Sequence, residues 1–85
     1  MGASGLEIEY KDGYEEISAM SDNMGIGIGR LKSSSEEATL LREELYTIRK
    51  NKKKTFTVTS KKYVVRVKIF ESFGEDAFYV TVGES

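Results

Sequence analysis

The chain has 85 residues, 39 % hydrophobic and 32 % charged, with a formal charge of −1, a size that allows one domain with a small core. It contains no Cys, His, Pro or Trp, which excludes disulfides, Cys/His zinc sites, thiol nucleophiles and imidazole acid–base catalysis. The near-neutral total conceals a division: residues 1–45 carry 10 acidic and 4 basic side chains, net −6, and residues 46–85 carry 4 acidic and 9 basic, net +5.

Met1-Gly2-Ala3-Ser4-Gly5 has the composition of a flexible leader or cloning remnant, and Leu6 stands where N-myristoylation needs Ser or Thr. A single domain is expected over residues 6–83. Leu6, Ile8 and Tyr10 alternate with Glu7, Glu9 and Lys11, the period of a half-buried strand, and Asp12-Gly13 follows as a two-residue hairpin turn. Pairing Lys11 with Tyr14 sets Ile8 opposite Ile17 and Leu6 opposite Ala19. The same register sets Glu9 opposite Glu16, a mildly unfavourable pair of like charges.

Ser21-Asp22-Asn23 is turn chemistry, leading into Gly25-Ile26-Gly27-Ile28-Gly29-Arg30-Leu31. This alternation reads as a third strand with one bare face, or as a mobile hinge. Its spacing fits neither a P-loop nor a dinucleotide fingerprint. Ser34 with Glu37 forms a capping box, and Ala38, Leu41, Leu45 and Ile48 recur at helical spacing, so a helix is expected from Ser35 to Lys50. Leu40 lies off this stripe, and Tyr46 beside Arg42 is expected at the edge of the packing.

Phe56 and Val58 alternate with Thr, Ser60-Lys61-Lys62 turns the chain, and Tyr63, Val65, Val67 and Ile69 alternate with Val64, Arg66, Lys68 and Phe70. A turn over residues 72–76 then leads to a last strand, Phe78-Tyr79-Val80-Thr81-Val82. The C-terminal half is therefore a three-stranded antiparallel meander with an apolar inner face running from Phe56 to Val82. The whole reads as an α+β domain, in the order β-β-(β)-α-β-β-β, with one amphipathic helix packed on one or two small antiparallel sheets.

Two surfaces carry the functional expectations. Glu7, Glu9, Asp12, Glu15 and Glu16 make an acidic hairpin suited to a basic groove on a protein partner. Arg49, Lys50, Lys52, Lys53, Lys54, Lys61, Lys62, Arg66 and Lys68 lie in a stretch with no acid from Tyr46 to Phe70, and beside Phe70 and Tyr79 they suit nucleic acid. Alternating Lys and Thr outside a sheet is also ordinary solvated surface. Head-to-tail self-association of the acidic patch with the basic one is a third outcome.

No catalytic residue, cofactor or metal site is expected, because the carboxylates sit on solvent-facing strands and none has EF-hand spacing. No apolar run approaches the roughly 18 residues that cross a membrane, and there is no secretory pattern, so a cytoplasmic location is expected. The favoured expectation is a non-catalytic protein-binding module. The composition is of the kind found in small phage and mobile-element products that inhibit a host machine or assist assembly. The alternative is a nucleic-acid-binding domain using the basic 49–68 segment and the outer face of the meander.

Overall fold

A computed structural model describes residues 5–21 and 24–84. The chain runs β1 (Gly5–Lys11), β2 (Tyr14–Ser21), β3 (Met24–Lys32), α1 (Glu36–Lys50), β4 (Lys54–Val58), β5 (Lys61–Ser72) and β6 (Glu75–Glu84). The β1–β2 register is the expected one, with Ile8 opposite Ile17 and Glu9 opposite Glu16. The Gly-Ile segment is a strand: β3 pairs with β2, with a shift in register between Ile17 and Ser18 that leaves Ile28 without an opposite residue. Of the expected turn before it, Asp22 and Asn23 lie outside the described residues, as do residues 1–4 of the expected leader; Gly5 already belongs to β1.

Three hairpins turn on two residues that are both left-handed: Asp12-Gly13 (φ 51° and 87°), Thr59-Ser60 (49° and 66°) and Phe73-Gly74 (53° and 80°). Positive φ at both central positions matches the right-handed twist of the flanking strands. This tightness corrects two expectations. Lys61 and Lys62 belong to β5 rather than to a turn, and Glu75 and Asp76 already belong to β6.

The strands form one sheet in the order β3-β2-β1-β6-β5-β4. Spatial order therefore departs from chain order, since the first and last strands pair at the centre, Leu6 with Val80 and Ile8 with Phe78. Two hairpin groups that each expose one apolar face bury more of it by joining edges under the helix than by staying separate.

The helix cap lies one residue later than expected. Ser35, not Ser34, is the N-cap, its Oγ accepting the Ala38 N–H at 3.1 Å and donating to the Lys32 carbonyl at 2.6 Å. Ala38 therefore occupies the position where a capping box needs Glu, so Glu37 has no reciprocal role. Ala38, Leu45 and Ile48 are buried as their spacing required, and Leu40 is exposed. The core is Leu45 and Ile48 on Ile8, Val67, Phe78 and Val80, with Leu6, Ile17, Leu41, Val65 and Ile69 around it.

A helix is about 10 Å across and strands lie about 4.8 Å apart, so one helix covers two or three strands. The inner face is consequently dry only in the middle. Phe56, Val58 and Val82 on one wing, and Met24 and Ile26 on the other, are exposed on the side the helix occupies.

Candidate functional site

The sheet and helix sort the charges along the strand axis. At one end stand the Asp12-Gly13 and Phe73-Gly74 turns and the start of α1, joined by the Ser33 N–H donating to the Gly13 carbonyl at 2.9 Å. Asp12, Glu36, Glu37, Glu71, Glu75 and Asp76 are exposed there, with Lys11 and Lys32 among them. At the other end are Arg49 and Lys50 in the last helical turn, with Lys52 and Lys53 following, and Lys61 and Lys62 beyond the Thr59-Ser60 turn. Carboxylates near the helix N-terminus and bases near its C-terminus both suit the macrodipole.

The expected acidic patch does not stay together. Glu7, Glu9 and Glu16 share the face away from the helix, while Glu15, one residue from Glu16, alternates to the other side and is 3 % exposed. There it accepts the Ser33 hydroxyl at 2.6 Å and lies 3.4 Å from Arg42 Nη1. Glu15 is thus a structural anion for the helix and its entry loop. Asp12 stands apart, at the turn. On the outer face Glu9 accepts the Ser72 hydroxyl at 2.7 Å, and Glu16 sits between Glu9 on one side and Arg30 on the other. Arg30 also lies over the Tyr14 ring, 4.2 Å from its centroid.

The basic residues are only partly gathered: Arg49, Lys50, Lys52, Lys53, Lys61 and Lys62 share one end, whereas Arg66 and Lys68 lie on the outer face. Lys54 donates to Glu44 at 2.6 Å and lies over the Phe56 ring, and Lys61 is 3.8 Å from Glu84. Arg66 and Lys68 do occupy the outer face, opposite Thr81 and Tyr79. Yet Tyr79 has Glu7 on its other side, so base, aromatic and acid share one row, and the face presents no single sign of charge.

The acidic end holds what sequence reasoning missed. Two adjoining clefts open there and share Tyr10 and Glu75. One, of about 510 Å³, is lined by Tyr10, Glu15, Ser33, Arg42, Tyr46 and Asp76 among others. The other, of about 440 Å³, is lined by Glu9, Tyr10, Lys11, Asp12, Phe73 and Glu75. Tyr46 donates its hydroxyl to Asp76 at 2.6 Å, with its ring edge-on to Phe78 at 5.1 Å. That hydrogen bond, with partial burial and the Asp76 charge, holds the Tyr46 phenol above its ordinary value of 10.0.

Phe73 is the outstanding residue of this end. It is 95 % exposed at φ 53°, so a large aromatic occupies a left-handed turn position with almost none of its surface covered. That conformation costs a bulky L-residue about 1 kcal/mol, and here no burial offsets it. The signal available in the sequence was Phe immediately before Gly in a turn, where Asn or Asp is the favoured residue.

Among the described residues no group of three or more acidic side chains is placed to hold a metal ion, and no helix is long and apolar enough to cross a membrane. The chain matches no family model, and no curated protein or solved structure is detectably similar to it.

Proposed function

We propose that this domain is a non-catalytic protein-binding module that docks its acidic end onto a basic protein, with Phe73 as the aromatic anchor. The observation that carries this reading is Phe73 itself, strained in backbone, almost wholly exposed, and lining a cleft with Glu9, Asp12 and Glu75, and with Lys11. Exposed aromatics that enter a partner's pocket supply a large share of interface energy, and charge around them steers the approach. A basic-rimmed apolar pocket is the complement. Glu9 and Asp12 contribute from the β1–β2 hairpin, and Glu71, Glu75 and Asp76 from the β5–β6 hairpin. The one buried carboxylate at this end, Glu15, is engaged by Ser33 and Arg42, which supports binding rather than acid–base chemistry. A small inhibitor or assembly factor would use such a surface.

The second reading places nucleic acid on the basic end and the Arg66–Lys68–Tyr79 strip. It is favoured by the juxtaposition of Lys68 and Tyr79 and weakened by Glu7 beside them.

Immobilised wild-type and variant chains, presented with nuclease-treated lysate and separately with single- and double-stranded nucleic acid, separate the two. Phe73→Ala and the triple change of Glu9, Asp12 and Glu75 to Gln should each weaken capture of the retained protein at least tenfold, about 1.4 kcal/mol. Changing Lys52, Lys53, Lys54, Lys61 and Lys62 to Ala should leave it unaltered. Nucleic acid retained at about 0.15 M salt, and lost only in the lysine variant, would overturn the protein-binding reading.

A further inference from the structure

The two ends of the strand axis carry complementary surfaces. β5 joins the Thr59-Ser60 turn to the Phe73-Gly74 turn, so a partner docked at one end leaves the other free. At the Thr59-Ser60 end Phe56, Val58 and Val82 share the inner face and are 41 %, 57 % and 58 % exposed. Lys61 stands opposite Val58, Lys62 is beside it, and Lys52 and Lys53 lie between α1 and β4. Glu84, 3.8 Å from Lys61, and Glu44, paired with Lys54, are also here, but bases are in excess. The Phe73 end is the reverse, an exposed aromatic tip with Asp12, Glu71, Glu75 and Asp76 in excess over Lys11 and Lys32. A basic-rimmed apolar patch is what that tip requires, and the chain itself carries one. With a total charge of −1, whole copies do not repel one another.

We propose that a second copy of the chain docks end to end on the first. The Phe73 tip of one copy seats on the Phe56–Val58–Val82 patch of the next, its carboxylates against Lys61, Lys62 and the lysines that follow α1. The inference rests on the reading of Phe73 as an anchor, and it adds a second copy to the basic proteins that the acidic end takes. Charge fixes the direction, since two acidic ends or two basic ends repel, and removal of the aromatic and aliphatic surfaces from water holds the contact. The two surfaces differ and stand at opposite ends, so the contact is heterologous. Each added copy presents a new tip and a new patch, and the row stays open instead of closing at two. Met24 and Ile26, on the other wing, take no part.

Sedimentation equilibrium of the full chain from about 1 µM to about 1 mM tests this. At about 0.05 M salt the wild-type mass should rise from the 9.6 kDa of one chain past twice that value without a plateau. At about 0.5 M salt the same rise should need at least tenfold more protein. Phe73→Asn removes the tip and Val58→Asp the patch, each at an exposed position, and each variant alone should keep the mass of one chain. Mixed in equal amounts they retain one intact tip and one intact patch, so they should reach the mass of two chains and stop. Lys61→Glu with Lys62→Glu leaves the apolar patch intact, and should likewise be monomeric alone and dimerise with Phe73→Asn, so the outcome does not depend on one variant folding. Ile26→Ala should associate as wild type. A wild-type monomer throughout, a plateau at the dimer, mixtures that stay monomeric, or association of Phe73→Asn as in wild type would each overturn the inference. A monomeric wild type whose capture of a lysate protein still depends on Phe73 overturns this inference alone, whereas loss of Phe73 dependence in both measurements overturns the anchor as well.

Discussion

Arg42 Nη1 lies 3.4 Å from Glu15 Oε2, linking the second turn of the helix to a carboxylate that is 3 % exposed on the sheet beneath it. The same guanidinium donates to the Ser33 carbonyl at 3.3 Å, so one side chain ties β2, the helix entry and the helix together. Removing it strands a buried charge with a single hydroxyl donor, whereas a neutral amide at position 15 needs no countercharge. Arg42→Ala should cost about 1–3 kcal/mol and Glu15→Gln under about 1 kcal/mol, Arg42 being partly exposed. The double variant should recover most of the Arg42→Ala loss. Urea unfolding of the four proteins measures this, and strict additivity would show that the pair is not coupled.

Leu45 is the centre of the only apolar helix stripe and is buried against the β1, β6 and β5 residues of the core. Leu45→Ala should lower stability by about 2–5 kcal/mol, a large part of what so small a domain has. Leu40→Ala, exposed on the same helix, should change it by under about 0.5 kcal/mol. Equal melting temperatures for the two variants would contradict the packing.

The Tyr46 phenol predicts an alkaline signature. Its hydrogen bond to Asp76 raises its ionisation above the ordinary 10.0 in the folded state. The unfolded chain therefore releases that proton first, so the contribution of the bond to stability is complete below about pH 10 and disappears as pH rises through the raised value. Tyr46→Phe should be less stable than wild type at neutral pH, and the gap should close above that point. A gap that is constant across the alkaline limb would mean that the bond is absent in solution.

Glu9 opposite Glu16 looked unfavourable from the register alone. In the sheet the pair is relieved on both flanks, Glu9 by Ser72 and Glu16 by Arg30. Neutralising Glu7, Glu9 and Glu16 together to Gln should therefore leave stability within about 0.5 kcal/mol of wild type rather than raise it. Thermal melts at low and high salt would show this. A clear rise would mean that repulsion dominates.

The hairpin β1–β2 was legible to the residue because Asp-Gly fixes the turn and alternation then leaves one register that keeps Leu6, Ile8 and Ile17 on a face. The helix was legible from Ala38, Leu41, Leu45 and Ile48, though two adjacent serines left its cap ambiguous by one position. Pairing of β1 with β6 was not legible, because strands at the two ends of a chain carry no local mark of each other. The two turns other than Asp12-Gly13 were blurred because Thr59-Ser60 and Phe73-Gly74 lack Asn or Asp before Gly, so polarity misplaced their limits. For the candidate site, Glu9 and Asp12 were found by charge. Phe73, Glu71, Glu75 and Asp76 were not, since they join the hairpin only when β6 lies beside β1.

That Phe73 is kept for contact outside the chain is tested most directly by melting Phe73→Asn beside wild type, with no partner present. Asn tolerates the left-handed turn position and gives up no buried surface, so the variant should melt at or above the wild-type temperature, a gain of up to about 1 kcal/mol. A variant that melts several degrees lower would show that Phe73 supports the fold, and would contradict its role as an anchor for a partner.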